Sequence, residues 1–263
     1  MQIVSLLEYL LPLFAGLVVG FLIGLTGMGG GALMTPFLII FMKLEPVLAV
    51  GTDLAFAAIT KITGGIKHRR EKNVSLRYVG WIALGSIPAS FLSAQFILQQ
   101  THNRHLVENT LPNILGFTLI IVSLVIFARV FRILGPKEKI EIIWPSPVVL
   151  IIIGATGGAL VGMTSIGGGT VMMALFLIFF SIPLNLLVGI DVVHGAVLAV
   201  FTALSYSIAG QVDWNLVLLL ICGSIPGVWF GARLINKVNR RLVRGFLALL
   251  IMLAGIDLLF YQS

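Results

Sequence analysis

Gly24-Leu25-Thr26-Gly27-Met28-Gly29-Gly30-Gly31 and Gly162-Met163-Thr164-Ser165-Ile166-Gly167-Gly168-Gly169 are two versions of one octapeptide, set 138 residues apart in a chain of 263. The same offset carries Gly51 and Asp53 onto Gly189 and Asp191, and Gly85-Ser86-Ile87-Pro88 onto Gly223-Ser224-Ile225-Pro226. No gap is needed. Between 24–53 and 162–191, 12 of 30 aligned positions are identical. An apolar composition produces scattered matches. It does not align aspartate with aspartate and a four-residue string in one register, so the chain is an internal duplication.

Outward from these glycines the sequence is apolar. Hydrophobic residues make up 59% of the chain and charged residues 10%, and the mean hydropathy is +1.10. A water-soluble domain carries about 25% charged residues. Too few charges remain here to cover a water-facing surface, so lipid is the solvent the sequence implies. Spanning helices need about 20 apolar residues. Stretches of that kind lie at roughly 47–66, 77–98, 106–134, 185–209, 214–232 and 241–261. The stretches 6–25 and 147–163 are also apolar, but each runs into a glycine cluster, and only a short apolar piece follows, at 31–43 and 169–181. About 13 helical residues cover about 20 Å, too little for a hydrocarbon core of about 30 Å. The expected fold is therefore all-α and integral to a membrane, with two short helices that are broken or re-entrant at the glycines; two untilted, thinly covered full spans are the alternative.

Lys67, Arg69, Arg70, Lys72 and Arg77 cluster in one loop, whereas the matching stretch 205–215 has no basic residue. Arg233, Lys237, Arg240, Arg241 and Arg244 cluster at another boundary, and the matching stretch 95–106 has only Arg104. Arg129, Arg132, Lys137 and Lys139 flank the link between the copies. Loops on the cytoplasmic side are enriched in Lys and Arg. One topology puts all three groups there, with five chain passages per copy. An odd number of passages inverts the second copy. The expected organisation is thus two inverted-topology repeats, at 1–134 and 147–263, joined by a cytoplasmic linker at 135–146, with both termini outside the cytoplasm.

The net charge of +7 belongs to these helix ends, where it orients the chain and meets anionic lipid. No nucleic-acid motif accompanies it, and none is expected to bind. No Cys/His cluster suggests a metal, no nucleotide fingerprint suggests a cofactor, and no Walker lysine follows the glycines. No hydrolase triad or paired catalytic carboxylate appears, which points away from an enzyme. Cys222 is the single cysteine and reads as a packing residue. The N-terminal stretch has no Lys or Arg before its apolar run, so it reads as a retained first span rather than a cleaved signal.

Four features carry chemistry. Glycine permits unusual dihedrals and close backbone approach. Helices starting at Gly29–Gly31 and Gly167–Gly169 would present free amides and positive dipole ends. In inverted-repeat carriers such half-helices meet near the midplane and face anionic groups. Thr26, Gly27, Met28, Gly29, Gly30 and Gly31, with Thr164, Ser165, Ile166, Gly167, Gly168 and Gly169, are accordingly the candidate site for a small oxyanion. The hydroxyls of Thr26, Thr164 and Ser165 are further donors. Close helix packing by small residues is the competing reading. Asp53 and Asp191 lie at matching positions inside apolar helices, where a carboxylate persists only if paired, protonated or facing water. They read either as proton-coupling groups or as caps for nearby broken backbone. Lys61, eight residues beyond Asp53, either neutralises a charge in a polar cavity or snorkels towards the basic loop; its counterpart is Ala199. His194, three residues beyond Asp191, reads as a relay or as a packing histidine. Pro88 and Pro226 kink matching helices.

On the doubled glycine octapeptide, Gly51-Thr52-Asp53 and the two Gly-Ser-Ile-Pro strings, the sequence resembles the TauE/SafE family of membrane permeases, over nearly the whole chain. That resemblance implies a cell-membrane transporter of small sulfur-containing anions such as sulfite, sulfoacetate or other organosulfonates, usually exported. Residue spacing alone stops at a small oxyanion. The expected function is a multi-pass secondary carrier whose partners are a small anion and membrane lipid, with a homo-oligomer left open and proton coupling as an added expectation. A passive anion channel and a non-transporting assembly subunit are the alternatives.

Overall fold

The computed structural model describes residues 2–26, 31–70, 74–100, 104–130, 146–166, 172, 184–234, 238 and 240–260. These residues form α1 (Gln2–Thr26), α2 (Gly31–Ile40), α3 (Pro46–Arg70), α4 (Leu76–Gln100), α5 (Arg104–Val130), α6 (Pro147–Thr164), α7 (Leu184–Ile208), α8 (Trp214–Leu234) and α9 (Arg240–Phe260). No strand occurs among the described residues. Six of the helices, α3 to α8, are long and apolar enough to cross a membrane. The chain is a multi-pass, all-helical membrane protein.

One of the two expected breaks is described, at the end of α6; the other falls on residues 27–30, outside the described residues. One helix ends at Thr26 and the next begins at Gly31. The 10 residues of α2 cover about 15 Å, half the hydrocarbon core. The other break has a defined stop. Ser146 caps the start of α6, its hydroxyl accepting from the Val149 amide at 3.4 Å, and Pro147 follows at the first helical position, where its missing N–H is no loss. At the other end Ser165 turns left-handed, with φ 59°, and its N–H closes on the Val161 carbonyl at 2.9 Å. The expected short piece 169–181 lies outside the described residues, apart from Met172, which is buried over Gly157. The expected link at 135–145 and the glycines Gly27, Gly29, Gly30, Gly167, Gly168 and Gly169 also lie outside them.

The copies are interlocked rather than side by side. Helix α1 of the first copy packs along α8 of the second, and α6 of the second packs along α4 of the first. Each of the remaining major pairs, α3 with α7 and α5 with α9, joins a helix to its own counterpart. The contacts repeat residue by residue at the offset of the sequence. Gly16 faces the Leu220 backbone as Gly154 faces that of Ile82. Gly20 faces Ser224 as Gly158 faces Ser86, and Gly223 faces Leu13 as Gly85 faces Ile151. A Cβ at any of these glycines would run into a backbone carbonyl. Small residues let membrane helices touch in this way, and the touching backbones fix the register of each cross-copy pair.

Met34, Leu38 and Ile39 of α2, Leu54 and Phe56 of α3, Leu115 and Leu119 of α5 and Tyr206 of α7 form the buried centre. Large apolar side chains also cover the outside: Phe14, Phe91, Phe96, Phe117, Ile152, Leu218, Trp229 and Phe246 are exposed. On a soluble protein such a surface would drive association. Here it is the face presented to lipid tails.

Candidate functional site

Polar side chains are sparse inside this bundle, and they gather around α3 and α7. The first group centres on Asp53. Its side chain is fully buried, and Oδ2 accepts two hydroxyl hydrogen bonds, from Thr35 at 2.5 Å and from Ser165 at 2.9 Å. Thr35 sits on the short helix of the first copy. Ser165 sits at the left-handed stop of α6 in the second. One carboxylate therefore ties α2 of the first copy to the end of α6 in the second. A residue other than glycine in the left-handed region costs about 1–2 kcal/mol. The first copy has Gly27 at the matching position, where that cost would vanish. Ser165 accepts the strain and places a hydroxyl on Asp53.

The second group centres on Asp191 and has a different make-up. The residues matching Thr35 and Ser165 are Met173 and Gly27, so neither hydroxyl exists in that half. In their place Lys61, half-buried on α3, lies within electrostatic reach of Asp191, Asp53 and His194. His194 is fully buried, and its Nε2 shares a 2.7 Å hydrogen bond with the Ser86 hydroxyl of α4. Oδ1 of Asp53, Oδ1 of Asp191 and Nδ1 of His194 are buried with no hydrogen-bond partner among the described residues. Buried polar atoms are rarely left unpaired, which makes these three the candidate groups of a site.

The relatives bear on what such a cluster serves. The chain matches the family model described as "Sulfite exporter TauE/SafE" over residues 12–258. The chain belongs to the TauE/SafE family. Among its relatives is the "Probable membrane transporter protein YjnA" of Bacillus subtilis, 35% identical over 93% of this chain and 97% of that protein. A second from the same organism, "Probable membrane transporter protein YdhB", is 24% identical over 92% of this chain and 96% of its own length. An archaeal relative, "Probable membrane transporter protein MJ0441" of Methanocaldococcus jannaschii, is 23% identical over 89% of each chain. No solved structure matches the chain at a significant level. It is a membrane transporter of the TauE/SafE family.

Of the residues singled out from sequence, Asp53 and Ser165 meet directly, and Lys61, Asp191 and His194 adjoin them. Thr164 is buried, its hydroxyl donating to the Leu160 carbonyl at 2.6 Å and accepting from the Ile166 amide at 3.2 Å, so it shapes the stop of α6. Ile166 is buried beside it. Gly31 opens α2, and Thr26 closes α1. Gly27, Met28, Gly29, Gly30, Gly167, Gly168 and Gly169 lie outside the described residues. Two members of this TauE/SafE cluster escaped the sequence reading. Thr35 was passed over because its counterpart is Met173. Ser86 was in view as part of the Gly-Ser-Ile-Pro string, but only as a mark of duplication.

Proposed function

We propose that this protein is a secondary carrier of small oxyanions, sulfur oxyanions or organosulfonates such as sulfite and sulfoacetate being the substrate class. The anion binds between the two helix breaks, and one of the buried aspartates couples its movement to that of a proton. The observation that carries this reading is the seat of Asp53. Donors from both copies converge on a carboxylate oxygen at the meeting point of two interrupted helices, which is where inverted-repeat carriers hold their substrates. A carboxylate is itself an oxyanion, and its acceptance there supports an oxyanion as the ligand of these donors. The start of α2 adds the amides and positive dipole end of a helix N-terminus. By their place in the sequence, Thr26, Gly27, Met28, Gly29, Gly30 and Gly31, with Thr164, Ser165, Ile166, Gly167, Gly168 and Gly169, complete the proposed site. The reciprocal contacts between copies support alternating access by motion of one part against another.

The charge pattern supports an inverted arrangement of 1–134 and 147–263 in the cell membrane, with 135–146 and the three basic clusters on the cytoplasmic side and both termini opposite. The absence of any catalytic constellation in the sequence supports a function without covalent chemistry.

The test is a screen of purified protein against sulfite, sulfoacetate, thiosulfate, sulfate and simple carboxylates by thermal unfolding, followed by flux of the hits in liposomes. A ligand that prefers the folded state raises the melting temperature. A sulfur oxyanion is expected to do so and to accumulate against its gradient with saturable kinetics. Linear, gradient-limited flux would make the protein a channel. No binding and no flux of any anion would favour an assembly subunit.

A further inference from the structure

The Asp53 carboxylate occupies the place an oxyanion would take, and this has consequences for loading. Ser165 and Thr35 each have one hydroxyl proton. While Asp53 is ionised, both protons are committed to its Oδ2. Its negative charge, fully buried, also repels any second anion, since Coulomb energies grow as the dielectric falls. Protonation reverses each of these effects. The charge is gone, the two hydroxyls are free to turn, and the carboxyl becomes an O–H donor. Oδ1, which has no partner among the described residues, then offers a proton that lacks an acceptor. An oxyanion provides one.

We propose that Asp53 is a built-in competitor for the anion site, so that a proton taken up by Asp53 releases Thr35 and Ser165 to hold the anion, and the two travel as a pair. This rests on the oxyanion-carrier reading and assigns its coupling residue. The proton comes from the side on which the anion loads and leaves Asp53 when the anion departs, its oxygen then recapturing the two hydroxyls. Asp191 does not share the role. Its half has Met173 and Gly27 where the two hydroxyls would stand, and the ammonium of Lys61 bears on it. Lys61 on its own helix is the charged group acting on Asp53, and the helix packed against it, α7, carries Asp191, His194 and Tyr206. Tyr206 is committed to the Gly162 carbonyl at 2.8 Å. Asp213 precedes α8, its amide donating to Thr52 at 3.1 Å and its carboxylate accepting from the Leu216 amide at 3.0 Å. Helix α2 and residues 110–128 of α5 carry no ionisable side chain.

The probes are thiosulfate and sulfoacetate, whose charges do not change near neutral pH. For wild-type protein, calorimetry in two buffers of different ionisation enthalpy is expected to show one proton taken up per anion. Affinity is then expected to fall about tenfold per pH unit above the titration of the group, the limiting slope for one linked proton. Asp53→Asn, neutral at every pH and with an amide donor, is expected to bind and exchange anion without pH dependence and to lose accumulation driven by a pH gradient. Uptake of no proton by wild-type protein, or gradient-driven accumulation by Asp53→Asn, overturns the proposal. Should Asp53→Asn not fold, the wild-type proton count still decides, together with Ser165→Gly, which installs the residue of the first copy. Ser165→Gly is expected to weaken thiosulfate binding about tenfold, the value of one charge-assisted hydrogen bond, while keeping the proton count; unchanged affinity counts against the proposal. Absence of any anion flux by wild-type protein without a pH gradient would instead sink the carrier reading itself.

Discussion

Asp53 and Asp191 stand at the same position of two copies of one sequence, and their surroundings have parted company. Asp53 is gripped by two hydroxyls from opposite copies. Asp191 has neither hydroxyl, and its charged neighbour is Lys61, whose reach extends to Asp53 as well, with His194 one turn along the same helix. The helix packing around them has not diverged in this way. Gly20 against Ser224 and Gly158 against Ser86 remain the same contact made twice. Backbone-to-backbone crossings tolerate almost nothing but glycine, so both copies keep it. A buried carboxylate needs only some form of compensation, and two different forms have been found for it.

Four experiments break or sharpen that comparison. The largest effect is expected where the halves are alike. Gly20→Leu and Gly158→Leu should each cost about 3 kcal/mol or more, because a side chain would be driven into a facing backbone. Denaturation of each variant in detergent measures this, and a large difference between them would break the reciprocity of the packing. Next come the aspartates. Asp53→Ala loses two hydrogen bonds to a charged acceptor and should destabilise by about 2–4 kcal/mol, whereas Asp191→Ala should stay within about 1 kcal/mol of wild type. Equal losses in thermal unfolding would erase the contrast. Third, a double-mutant cycle of Lys61→Met with Asp191→Asn should give a coupling of about 1 kcal/mol, larger than the same cycle with Asp53→Asn. The reverse order would reassign the lysine to the first copy. The smallest effect belongs to His194→Phe, which gives the second copy the residue found at Phe56 in the first. Loss of the Ser86 hydrogen bond should cost about 1 kcal/mol, read from the melting curve.

Much of this was legible in the sequence, for a physical reason. Lipid demands long apolar helices, so spans announce themselves by length and hydropathy. The second glycine cluster located the stop of α6, and the 138-residue offset located both aspartates. What could not be read was who meets whom. Ser165 was expected to offer its hydroxyl to a ligand, and in the structure it donates to Asp53, 112 residues away. Thr35 lies in an apolar segment with no polar periodicity, and a search for matching positions discards it because Met173 is its equivalent. His194 and Ser86 are 108 residues apart. Duplication reveals what the copies share, whereas the chemistry of this site lies in the positions where they differ.

The crossing of α1 with α8 and of α6 with α4 has a bearing on how the molecule is made. The wall that α1 needs leaves the ribosome near the end of synthesis: Gly16 must wait for Leu220 and Gly20 for Ser224. Throughout that interval the first half stands in the bilayer with a bare glycine-lined flank. Neither half is a complete object by itself, and assembly is a clasp that closes only when the last helices arrive.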